Sequence, residues 1–305
     1  MENYCEKMNK QKALDFAIRD MVCRCESEFG YTINGRPPYN NYLSNDAWEK
    51  FCVRMSEKHQ KYYEDADGGE LKEKKGRWGI VPPKMASYGS SSRFIYLQSK
   101  DIENFIFEKP LSTRVGRNPA NLDGYLQKSD CDIYVEAKCR EIYASHQNQK
   151  IANVYKDVYE SIHKMHSKFD CESSKIEGDD SHFKCTFKYD GTPLVHFDIK
   201  QLICHFLGIA AYILENKNTN KKIKFVYLIF DPKDANFENK NISKFKKEIV
   251  DDYNATLEEI KKFKDFKWLF DAVLQYQIEK RKLAYQEITF DFKLVSQKDY
   301  KKELN

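Results

Sequence analysis

No stretch of this chain approaches the roughly 18 uninterrupted apolar residues of a membrane-spanning helix. The longest apolar run, QLICHFLGIAAYIL, carries Gln201 and His205 and reads as a core helix. The opening residues, MENYCEKMNKQK, lack the apolar segment of a secretory signal. Cysteine occurs nine times but never in paired CxxC spacing. That disfavours a disulfide framework, and the expectation is free thiols in a reducing cytoplasm. No glycine-rich loop ends in the Lys-Ser/Thr of a P-loop, since GDDSHF and DADGGE both lack it; ATP is therefore not implied. Internal repeats and low-complexity tracts are absent as well.

What the sequence holds is aromatic and charged. Tyr and Phe number 20 each in 305 residues, and 41% of the chain is hydrophobic, enough to bury a core. Aromatics in that number fill cores, or stack on bases where they line a basic groove. A net charge of +4 is compatible with nucleic acid without demanding it, because a local patch matters more than a total.

Periodicity divides the chain into three parts. Residues 11–29 carry Leu14, Ala17, Ile18, Met21, Val22 and Cys25 at helical spacing. A second helix is expected over 45–63, with Asn45 or Asp46 as its cap. A polar, Gly- and Pro-bearing connection follows, so residues 1–85 form a helical N-terminal region. In the core, 86–235, serines suited to capping open a helix pattern over 90–107. FEKPLSTRVGRNPANLDGYL starts as a strand, turns through Gly116 and Pro119, and re-enters a strand near Leu122. CDIYVEAK is a strand, 151–169 a helix, and 182–197 a hairpin turning at Asp190-Gly191. A helix over 199–217 and a buried strand over 222–232 complete the core. The tail, 236–305, is mostly helical and ends on a strand-like ITFDFKLV. The order of elements predicts an α/β protein, a mixed sheet flanked by helices.

One hairpin carries chemistry. With its turn centred on Lys128–Cys131, Gln127 faces Asp132 and, counting back, Asp123 faces Glu136. Opposed residues point to one side of a sheet, their Cβ atoms about 4.5–5.5 Å apart. Lys138, two positions beyond Glu136, shares that side, while Ala137 faces away. Opposed carboxylates repel, and a divalent cation between them removes the penalty; two carboxylates plus a substrate phosphate suit Mg²⁺. A lysine beside them could hold or deprotonate a water, its pKa lowered by burial or raised by the acids. An ordinary Asp-Lys-Glu salt bridge explains the same spacing.

At these residues the chain resembles the PD-(D/E)xK nuclease superfamily, with Asp123 in NLDGYL and Glu136-Ala137-Lys138 in IYVEAK. Residues 86–231 are similar to a group of predicted restriction endonucleases within it. SSSRFIYL looks like that group's serine-led helix, and FEKPLSTRVGRNPANLDGYL like its Glu-containing lead into the first acid. FDIKQLICHFLGIAAYI and KFVYLIFDP look like its downstream helix and strand. Leu122 stands where the superfamily nominally has Pro. The resemblance implies a restriction-endonuclease-like core and a Mg²⁺-dependent endodeoxyribonuclease of restriction type, with Mn²⁺ able to substitute. It implies Asp123, Glu136 and the Ala137 carbonyl as metal ligands, and Lys138 as the residue that positions and activates water. Glu108 would join the metal site or orient water; Gln201 and His205 would contact phosphate or steady the acids. Double-stranded DNA is the implied substrate, with a homodimer to cut both strands and a cognate methyltransferase acting on the same DNA. Alternatives are a repair or junction nuclease, an RNA nuclease, or an inactive nucleic-acid-binding module.

Other signals are weaker. Cys171, His182, Cys185 and His196 match no standard zinc spacing. Cys139, beside the acids, has no histidine near it in the register. Lys-rich stretches at 72–77, 217–222, 240–247 and 261–267 read as solvated helix faces. In FKDFKWLF the aromatics read as a buried side, with a DNA-flanking role as the alternative.

Overall fold

The computed structural model describes residues 9–10, 13–15, 17–18, 42–43, 45–66, 69–76, 79–216, 222–235, 237–238, 240–284 and 287–304. Of the first expected helix, Ala13, Leu14, Ala17 and Ile18 are helical and fully buried; Met21, Val22 and Cys25 lie outside the described residues. The second is two helices, α1 (Asn45–Arg54) and α2 (Glu57–Asp65). The break falls at Ser56, whose hydroxyl accepts from the His59 N–H and caps a new helix. A short hairpin, β1 (Lys74–Gly76) and β2 (Gly79–Val81), occupies the connection.

Helix α3 (Ser91–Ser99) is capped by Ser90 as the serine run suggested, but it stops well short of residue 107. Asn104 turns left-handed at φ 59°, and Ile106 already lies in a strand. The core sheet is built from β3 (Ile106–Leu111), β4 (Ala120–Gln127) and β5 (Cys131–Lys138) as an antiparallel meander. Every residue of β5 is buried, as a central strand covered on both faces requires.

Between β5 and the next core helix the chain makes a second, antiparallel sheet. It comprises β6 (Gln149–Ala152), β7 (Phe169–Ile176), β8 (Asp179–Tyr189) and β9 (Thr192–Pro193), with helix α4 (Lys156–Met165) packed on it. The helix expected over 151–169 is thus a strand, a short helix and the start of another strand. The Asp190-Gly191 turn stands, with φ 51° and 73°, the left-handed pair that a two-residue hairpin needs. Cys171 and Cys185 form a disulfide with Cα atoms 5.8 Å apart, a correction to the expectation of free thiols. Cys171 pairs with Phe187, so Cys185, two positions away, shares its face. Cys52, Cys131, Cys139 and Cys204 are free.

Helix α5 (Ile199–Asn216) then lies on β3 and β4, and β10 (Lys222–Ile229) runs parallel to β5. Beyond it come α6 (Lys246–Lys262), α7 (Lys267–Arg281), β11 (Phe290–Ser296) and α8 (Tyr300–Leu304). Strand β11 pairs parallel with β10 and closes one edge of a five-stranded mixed sheet, β11-β10-β5-β4-β3. Aromatic pairs fix it there, Phe266 on Phe292 at 4.1 Å and Phe270 on Phe290 at 4.2 Å. Phe263, Phe266, Leu269 and Phe270 are buried, so FKDFKWLF turns its aromatics to the core. No helix among the described residues is long and apolar enough to cross a membrane.

Candidate functional site

The β4–β5 hairpin has the register its spacing implied. Gln127 pairs with Asp132 and the ladder runs to Gly124↔Val135, so Asp123 stands opposite Glu136 just past the last pair. There the strands part. Asp123 Oδ2 accepts from the Ala137 N–H at 2.6 Å in place of a ladder bond. A strand residue directs its N–H and C=O to the same neighbour, so the Ala137 carbonyl is aimed at the same gap.

Glu136 is the centre of a buried network. Its Oε1 accepts from Lys138 Nζ at 2.6 Å and from Gln201 Nε2 at 2.8 Å, and Lys138 donates also to Gln201 Oε1 at 2.6 Å. His205 Nε2 comes within 3.0 Å of Glu136 Oε2, the carboxylate oxygen that Lys138 and Gln201 leave free. Gln201 and His205, one turn apart on α5, thus present one face to the acid. Tyr227 of β10, paired in register with Glu136, was not anticipated. Extending the parallel register from CDIYVEAK to KIKFVYLI would have found it.

Burial opposes charge here, and the neighbours decide. Desolvation pushes Glu136 up, but His205 and Lys138 outweigh it and hold its pKa at about 2. Desolvation pulls Lys138 down, but Glu136, with Tyr227, Glu141 and Asp123 behind it, keeps the amine well above the ordinary lysine value. Of the two directions left open by the sequence, the acids around Lys138 favour the raised one. Asp123 has the opposite fate. Desolvation, then Glu136, then Glu108, raise its carboxyl well above the usual range, against only Lys138 and the Ala137 N–H. Asp123 keeps some surface exposure, which tempers the desolvation, whereas Glu136 and Lys138 are buried.

Glu108 sits opposite Asp123, between the pairs Phe107↔Gly124 and Lys109↔Leu122. Its φ of 51° is left-handed, a strained setting for a non-glycine residue. The alternation breaks there: Glu108 accepts from Ser92 Oγ of α3 at 3.2 Å, while Lys109 reaches the Tyr125 and Tyr212 rings, 5.3 Å from each. Glu108 acts on Asp123 through its charge and is itself held by the Ser92 hydroxyl.

Cys139 is buried, its thiol pushed well up by burial and by Glu141 and Asp15, which leaves it inert as a nucleophile. The zinc-type set is dispersed: Cys171 and Cys185 are bonded to each other, and His182 sits 3.1 Å from Asp179. Among the described residues no group of three His, Cys, Asp or Glu side chains forms a ready metal cage. The acids at the hairpin come as a facing pair with a backbone carbonyl beside them. Compared with family models, with curated proteins and with solved structures, the chain matches none.

Proposed function

We propose that this chain is a Mg²⁺-dependent nuclease of the PD-(D/E)xK type that hydrolyses phosphodiester bonds in double-stranded DNA. The observation that carries the reading is the convergence of Asp123, Glu136 and Lys138 at the diverging ends of β4 and β5, with Lys138 held by Glu136 and Gln201. A salt bridge alone accounts for Lys138 and Glu136. It does not account for Asp123, an acid disfavoured as an anion by burial and then by two other acids. The donors fit a small hard cation: two carboxylates and the Ala137 carbonyl. Asp123, Glu136 and that carbonyl would hold Mg²⁺ or Mn²⁺, which supplies polarisation of the scissile phosphate and stabilisation of charge on the leaving oxygen.

The chain's own residues do the rest. Lys138 keeps three protons and gives two to Glu136 and Gln201, which leaves one to orient the attacking water against the phosphate. Held by Glu136 and Gln201, the amine is placed to position that water. Gln201 holds both members of the ion pair, and His205 Nε2 lies 3.0 Å from the other Glu136 oxygen. A restriction role with a cognate methyltransferase, and a two-fold dimer cutting both strands, extend this reading beyond the site.

Plasmid DNA, methylated and unmethylated, incubated with the full chain in Mg²⁺ or EDTA tests it. Expected is cleavage in Mg²⁺ only, lost in Lys138→Ala and Asp123→Ala. Cleavage at equal rates by all three proteins would remove the mechanism. DNA retarded on a gel but never cut would make the chain a binding module, and cleavage confined to RNA or branched DNA would move the substrate.

A further inference from the structure

Helix α6 belongs to the tail, yet one of its side chains reaches the segment from which α5 starts. Glu259, 7% exposed, accepts from three consecutive backbone N–H groups, those of Val195, His196 and Phe197, each at 2.9 Å. A carboxylate in such a cradle fixes three peptide planes at once, with charge-assisted bonds roughly twice as strong as neutral ones. The next residue, Asp198, accepts from the Gln201 N–H at 3.1 Å and caps α5. Gln201 in turn holds Lys138 and Glu136. Phe197 is wedged among Tyr227, Phe263 and Phe266 at 5.6, 5.9 and 5.7 Å, and the His146 N–H donates to the Val195 carbonyl at 2.7 Å. The segment 195–198 therefore has little room to shift except through Glu259.

We infer that Glu259 is a positioning residue for the candidate site, setting through residues 195–198 where Gln201 places the Lys138 ammonium. The inference rests on the nuclease reading for its consequence and on geometry for its cause. It gives the C-terminal extension a role in the chemistry that its distance along the sequence hides. Misplacing a catalytic group by about 1 Å can cost about 100-fold in rate, and because Glu259 acts through Gln201 and Lys138 the loss belongs in the cleavage rate and not in DNA binding.

The test compares the full chain with Glu259→Gln, Glu259→Asp, Gln201→Ala and the double variant Glu259→Gln/Gln201→Ala. Rates of plasmid cleavage in Mg²⁺, DNA retardation and the unfolding midpoint are measured for each. Expected is a loss of about tenfold or more in rate for Glu259→Gln, with affinity changed less than about twofold and partial recovery in Glu259→Asp. The double variant should be no slower than Gln201→Ala alone, because both changes act through one group. Additive losses, or wild-type rate in Glu259→Gln, would overturn the inference. Should the wild type cut nothing, the nuclease reading falls and the positioning claim is still decided. The Gln201 side-chain amide resonances should shift in Glu259→Gln, and unshifted resonances in a folded variant would refute it.

Discussion

An ammonium buried to the extent of Lys138, 6% exposed, keeps its charge only where acceptors are held in place around it. Glu136 and Gln201 are those acceptors, and Glu136 in turn depends on Lys138 and His205. Removing one member strands another, so Lys138→Met should lower stability by about 3 kcal/mol in urea unfolding while abolishing cleavage. The pH dependence follows from the same charges. The Glu136 pKa is depressed from 4.5 to about 2, so its contribution is present above 4.5 and is lost as pH falls towards 2. Acid unfolding followed by circular dichroism should thus be shallower over that window in Glu136→Gln. The raised Asp123 carboxyl has the reverse sign: its native form favours the proton, and stability drains away as pH rises from 3.8 through the elevated value. Much of this was legible beforehand. Strand parity alone put Asp123, Glu136 and Lys138 on one side, and helical spacing put Gln201 with His205. The left-handed Glu108 was not legible, since no local signal marks a glutamate for positive φ.

At the scale of elements, the hairpin's register came from counting because a short turn leaves few alternatives. Strand β7 escaped for a physical reason. FDCESSKI is mostly exposed and polar, so it shows no apolar alternation, and only its pairing with β8 makes it a strand. The helix pattern over 151–169 absorbed its first residue, because Val158, Tyr159 and Ile162 do face a core at helical spacing. How α5 meets the sheet depends on Gly208, where an added Cβ would lie 2.8 Å from Leu111 Cβ and 3.4 Å from Ala120 Cβ. Alanine there gains about 1 kcal/mol of helix propensity but forces α5 off β3 and β4, at about 1–3 kcal/mol. Gly208→Ala is accordingly expected to be destabilised on balance in urea unfolding, and to cut more slowly because α5 carries Gln201.

On the scale of the whole molecule, the tail and the core share one sheet and one continuous apolar interior. The alternating Phe290, Phe292 and Leu294 were readable as a strand; that it would lie beside β10 was not, because parallel neighbours are joined by long connections that leave no sequence trace. A chain ending at residue 235 would lose β11 and expose β10 together with Phe206 and Phe225, so it should be recovered unfolded or aggregated when expressed. The central claim concerns charge at one point of this interior, and stability of the entire protein reads it out. The most direct measurement is the thermal unfolding midpoint of wild type and Asp123→Asn at neutral pH, with and without Mg²⁺. Without metal, Asp123→Asn should be the more stable, because a neutral amide escapes the desolvation penalty and the repulsion of Glu136 and Glu108 while still accepting from Ala137. Added Mg²⁺ should raise the wild type and leave Asp123→Asn unmoved. Equal midpoints in EDTA, with equal responses to Mg²⁺, would contradict the account.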